Sequence, residues 1–166
     1  ADVLVVPGGA PAAVDALRTD PRLQSWISRI DASSRLTLAV GAGVSLLAEA
    51  DRLDGHRVAA SGLAAAGAAT PRGVTPVDAR YVQDGKYWTS GTGSASLDAA
   101  LAMVGAIAGT AHLQAAMLDL EYDPAPPAFP RRGETVAEAP IASPPPGADP
   151  IRIGILVYDG FFTLDA

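Results

Sequence analysis

The sequence predicts an α/β fold, a mostly parallel sheet with helices on both faces, and three observations carry that expectation. Asp2-Val3-Leu4-Val5-Val6 and Leu36-Thr37-Leu38-Ala39-Val40 are short, near-continuous apolar runs, the pattern of strands buried on both sides. Each ends on a glycine turn, Pro7-Gly8-Gly9 or Gly41-Ala42-Gly43, that leads straight into helix-forming sequence. The length of 166 residues, 49% of them hydrophobic, suits one packed domain.

Taken in order, Asp2 to Val6 reads as the first strand, and Pro11 suits the first turn of a helix to about Arg18, with Val14 and Leu17 at helical spacing. Asp20 or Thr19 caps a second helix from Pro21 to Ile30, where Leu23, Trp26, Ile27 and Ile30 fall at i, i+3, i+4 and i+7. That spacing makes Trp26 core packing rather than a binding platform. Leu36 to Val40 is a strand, Val44 to Ala50 a helix, and Arg57 to Ala60 a further strand. Residues 61–79 are rich in Gly, Ala, Thr and Pro and read either as a short helix with a loop or as a cover over a pocket. Arg80 to Gln83 and Lys86 to Thr89 flank Asp84-Gly85, a hairpin signal of type I′. A helix from about Ala95 to Ala108 presents Leu97, Leu101, Val104 and Ala108 along one face, and another runs from about Thr110 to Glu121. Nine of the fourteen prolines lie between Asp123 and Pro150, an extended linker. Ile151 to Val157 is then strand-like again.

Composition excludes several functions. The net charge is −6 and Lys86 is the single lysine, so this segment offers no basic stripe to nucleic acid. No apolar run approaches the roughly 20 residues that span a bilayer, which predicts a soluble, by default cytoplasmic, protein without membrane contact. The absence of cysteine excludes disulfides, thiolate metal sites and a cysteine nucleophile. His56 in a turn and His112 on a polar helix face are two isolated histidines, which make no metal site. Gly91-Thr92-Gly93 lacks the Lys-Ser/Thr of a P-loop and the third glycine of a dinucleotide fingerprint, so no cofactor is expected. The chain opens at Ala1 within a strand and without an initiator methionine, which reads as a cropped or processed chain.

Strand, Gly41-Ala42-Gly43 and helix together form an abrupt elbow. Its apex is a place where enzymes hold nucleophiles, because the conformation there is unfavourable for residues other than glycine. The stretch resembles the ThiJ/PfpI family of the class I glutamine amidotransferase-like superfamily, most closely its isonitrile hydratase-like branch. In that branch the strand ends in Val-Cys-Thr-Gly, and a later strand ends in Thr-Thr-His-Trp. Here the frame reads Val40-Gly41-Ala42-Gly43, Leu53-Asp54-Gly55 and Val58-Ala59-Ala60-Ser61-Gly62. Gly41 stands at the cysteine position, and Ser61 where many members carry histidine. Pro7-Gly8-Gly9, the Asp-Gly hairpin, Thr89 to Ser94 and Leu120-Glu121-Tyr122-Asp123-Pro124 also match the family's segments.

The resemblance implies a flavodoxin-like, Rossmann-like sheet with a small hairpin, and a pocket of Gly8, Gly9, Gly41, Ala42, Ser61 and Asp165. Gly8 and Gly9 either line that pocket or only make the turn. Asp165, in Leu164-Asp165, matches an aspartate that assists the cysteine in the isonitrile hydratases, or is a helix-start residue. Residues 151–166 resemble the opening of such a domain yet come last. This divides the chain into a main body at 1–123, a proline-rich linker at 124–150, and a first strand with the start of a helix at 151–166. That last piece is either permuted or the beginning of a second domain. Permuted or not, it can fill the slot beside Asp2 to Val6, leaving an exposed sheet edge.

The expected function is a non-catalytic domain, a pseudoenzyme with a structural, ligand-binding or regulatory role. Alternatives are part of an isonitrile hydratase-like or amidotransferase-like enzyme whose active site lies in another domain, and the ligand-sensing domain of an AraC-type regulator. A small-molecule ligand and a homodimer, or a second ThiJ/PfpI-like domain, are the partners that the resemblance implies.

Overall fold

Val3–Val6 (β1) and Leu36–Val40 (β2) are fully buried and lie side by side in parallel, in register from Val3 opposite Leu36 to Val6 opposite Ala39. They form the centre of the computed structural model, which describes residues 2–65, 67, 70–122 and 150–159. Pro11–Arg18 (α1) and Pro21–Ser33 (α2) connect them, with Pro at each helix start and the Asp20 side chain accepting from the Arg22 N–H as a cap. Gly43–Glu49 (α3) follows β2, then Arg57–Ala59 (β3) and Ala60–Ala65 (α4). Thr75–Val77 (β4) pairs in parallel with β3 as a separate two-stranded sheet. Tyr81–Asp84 (β5) and Tyr87–Ser90 (β6) form the hairpin, and Ser94–Ala108 (α5) and Thr110–Asp119 (α6) pack on each other. Ile153–Ile155 (β7) completes a five-stranded sheet of order β5-β6-β2-β1-β7, parallel except at β5.

Alternation along β1 builds two cores. Leu4 and Val6 join Val14, Ile27, Val44 and Leu47 under α1, α2 and α3. Val3 and Val5 join Leu38, Trp88, Ala99 and Met103 under α5 on the opposite face. Trp26 packs against the first core, as its spacing predicts.

The slot beside β1 is filled by the last strand, with Val3 opposite Ile153 and Val5 opposite Ile155. Asp2 fastens it, accepting from the Arg152 backbone N–H at 2.8 Å and from its Nε at 3.1 Å. These bonds, the backbone one foremost, hold the Asp2 carboxyl below the usual carboxylate range. Leu156 enters the first core, and the Tyr158 hydroxyl donates to the Pro7 carbonyl at 3.0 Å.

Three local expectations are corrected. The hairpin pairs Asp84 with Tyr87, so its two-residue loop is Gly85-Lys86 rather than Asp84-Gly85. Gly85 has a φ of 59° and Lys86 is not in the positive-φ region, the pattern of a type II′ turn. Asp84 stays in the strand because its carboxylate takes the Arg57 backbone N–H at 2.7 Å. Second, α2 runs three residues past Ile30, to Ser33. Third, α5 is turned from its expected face: Ala95, Ala99 and Met103 are buried along with Leu101, while Leu97, Val104 and Ala108 are only half-buried. Small alanines let the helix settle onto the bulky Trp88. The open choice at 61–79 resolves into α4 and β4 among its described residues. Most of the proline-rich linker, the residues 123–149, lies outside the described residues, as does 160–166.

Candidate functional site

Gly41 follows directly on β2, is buried, and has a φ of 51°, the left-handed region that disfavours a side chain. Its N–H donates to the carbonyls of Ser90 and Gly91 at 3.1 and 3.2 Å, tying the elbow to the end of β6. Ala42 caps α3 and its carbonyl accepts the Ser45 hydroxyl at 2.7 Å. Close approach makes the next glycine necessary: a Cβ on Gly43 would run into the carbonyl oxygens of Val6 and Pro7. The elbow therefore sits against the Pro7-Gly8-Gly9 turn, and Gly8 and Gly9 are buried there.

From the other side α4 presses in. A Cβ on Gly62 would lie 2.6 Å from both the Ser90 carbonyl oxygen and Val44 Cγ2, and 3.3 Å from the Gly41 carbonyl oxygen. Ser61 is exposed, and its hydroxyl lies 2.6 Å from where a Cβ on Gly91 would stand. The fold thus gathers Gly41, Ala42 and Ser61 around the ends of β1, β2 and β6. Asp165 lies outside the described residues.

Pro7, Val44, Ser61, Gly62, Ser90 and Gly91, the neighbours of the elbow, carry no titratable side chain. The Ser90 hydroxyl donates to the Gly91 carbonyl at 3.1 Å, and the Thr89 hydroxyl accepts the Ala59 N–H at 3.0 Å. These hydroxyls hold backbone together, and none of these neighbours among the described residues is a base that could activate one. Among the described residues, no cluster of His, Cys, Asp or Glu could hold a metal ion. No helix among them is long and apolar enough to cross a membrane.

Two features near the site escape sequence reading. Gly62 gives no signal apart from its place in a Gly/Ala-rich stretch, and its role appears only once α4 meets β6. Around the start of α5, Asp98 is 5% exposed and accepts the Arg80 Nε at 2.5 Å and the Tyr122 hydroxyl at 2.8 Å. The Tyr122 hydroxyl also reaches the Ser94 carbonyl at 3.2 Å. Burial, followed by Asp98, raises the Tyr122 phenol above its ordinary pKa. Tyr122 thus locks the end of α6 onto the start of α5.

Comparison with known proteins matches this frame. The model of the DJ-1/PfpI family covers residues 1–106. An isonitrile hydratase of Pseudomonas putida is 36% identical over 126 residues, which is 76% of this chain and 54% of that protein. A ThiJ/PfpI family protein from Pseudomonas syringae superposes with a TM-score of 0.62 at 26% identity, covering 76% of this chain and 51% of the other. Drosophila melanogaster DJ-1beta shares the fold, with a TM-score of 0.60 at 22% identity over 74% of this chain and 64% of its own. The chain spans about half the length of the isonitrile hydratase and of the P. syringae protein.

Proposed function

The chain belongs to the DJ-1/PfpI family, and from that membership we propose that it is a non-catalytic member, a domain that keeps the family's elbow as a structural or ligand-binding element. The observation that carries this reading is Gly41. It occupies the apex with a φ of 51°, where glycine relieves the strain that a side chain would bring. A nucleophile is absent there, and no cysteine exists anywhere in the chain to replace it. Covalent catalysis needs a nucleophile with a base in reach, and the described neighbours of Gly41 provide no base.

The test pairs the natural chain with Gly41→Cys. Each is incubated with cyclohexyl isocyanide, and the product of adding water, N-cyclohexylformamide, is followed. The expected result is no turnover by the natural chain; turnover by it overturns the reading. Activity gained by Gly41→Cys marks a preserved pocket that lost only its nucleophile.

A second reading is favoured by length. Because the chain spans about half of the isonitrile hydratase, it also fits as part of a larger enzyme of that kind whose chemistry takes place in another domain. On that reading residues 151–166 open the next domain, and 124–150 join the two. Turnover by a longer natural protein, retained when Ser61 and Ala42 of this segment are substituted, would support it.

A further inference from the structure

With three residues, β7 is the shortest strand of the five-stranded sheet, and among the described residues it pairs with β1 alone. Ile153 and Ile155 are 62% and 45% exposed, so little of the strand is buried. The clasp at its start also faces water, with the Arg152 side chain 80% exposed where it meets Asp2. Few buried contacts and exposed hydrogen bonds mark a segment that opens ahead of the rest of a fold.

The other end of β7 reaches the elbow. The Leu156 N–H donates to the Val5 carbonyl at 2.9 Å, and the Leu156 side chain enters the core that holds Ala42 and Val44. Two residues on, the Tyr158 hydroxyl donates to the Pro7 carbonyl at 3.0 Å. A Cβ on Gly43, the first residue of α3, would lie 2.5 Å from that same oxygen. One carbonyl therefore carries both contacts, and through it β7 touches the elbow. Pro7 is buried, and tightly packed backbone transmits a displacement instead of absorbing it.

We propose that β7 is a strap that regulates the elbow. Seated beside β1, it holds the Pro7 carbonyl against the start of α3 through Tyr158. Lifted, it frees that carbonyl and loosens the first turn of α3. Tyr158 is then a positioning residue, and the device rests on the reading of the elbow as a structural or ligand-binding element.

Amide hydrogen exchange in the full chain tests the strap and the elbow separately. The Leu156 N–H reports the seating of β7, while the Val44 and Ser45 N–H groups, donating to the Gly41 and Ala42 carbonyls at 3.2 and 3.1 Å, report the elbow. Tyr158→Phe should speed exchange at Val44 and Ser45 about threefold or more, with Leu156 and the amides of β2 keeping their natural rates. Asp2→Ala, which removes the clasp, should speed Leu156, Val44 and Ser45 together and again leave β2 unchanged. Val44 and Ser45 amides that keep their natural rates in either variant overturn the proposal. So does exchange in β2 that rises in step with them, which marks a general loss of stability. Neither measurement involves turnover: hydration of cyclohexyl isocyanide by the natural chain would overturn the non-catalytic reading and leave the strap standing.

Discussion

Asp31 is 1% exposed, and a carboxylate in such a place survives only with partners. It accepts the Thr37 hydroxyl at 2.6 Å and the Tyr87 hydroxyl at 3.0 Å, and it pairs with Lys86 Nζ at 3.0 Å. Burial first, then Asp31, raises the Tyr87 phenol far above its ordinary pKa, so it remains a donor. Asp31→Ala strands a lysine and two hydroxyls, and should lower stability by about 3 kcal/mol in urea unfolding. Gly41→Ala tests the elbow: a φ of 51° should make it destabilising by about 1 to 2 kcal/mol. The two residues differ in how readable they are. Gly41 stands in a strand–glycine–helix frame that announces itself. Asp31 lies one residue past the apolar periodicity that ends at Ile30, and its partners come from residues 37, 86 and 87, beyond any local pattern.

At the scale of elements, each strand and helix expected among the described residues forms near its place, because apolar period and glycine or proline punctuation are local signals. What sequence missed was set by tertiary contact: the hairpin register by Arg57, and the rotation of α5 by Trp88. Asp84 joins the hairpin to β3, and its ionisation gives a pH signature. Burial alone would raise its pKa, but the Arg57 N–H and the charges of Arg57 and His56 outweigh it and leave the pKa lowered. A group depressed in the folded state stabilises fully above its unfolded pKa, and that contribution is lost as pH falls through the lower folded value. Acid titration of stability should therefore show a steeper acid limb for the natural chain than for Asp84→Asn. Tyr122→Phe, which removes the hydroxyl from buried Asp98, should cost about 1 kcal/mol by the same unfolding measurement.

For the whole molecule, the sheet depends on a strand supplied from the far end of the chain. Asp2 and Arg152 are 150 positions apart, so this pairing closes the longest loop in the fold. It should be the last to form and the first to open. Leu156→Ala should detach β7 by about 2 kcal/mol, and hydrogen exchange would show it as faster amides in β7 with the amides of β2 unchanged. The division at residues 124–150 is a proposal of the same scale: a body that ends at α6 and a strand that returns.

The pairing of β1 with β7 also sets how the molecule bears load. Both strands run the same way, so the chain enters β1 at one end of the sheet and leaves β7 at the other. A pull on the two ends slides these strands past each other, loading the Val5–Leu156 hydrogen bond together with the Asp2–Arg152 clasp rather than unzipping them in turn. In a longer polypeptide under tension, this edge would act as a shear joint that holds until it yields as a unit.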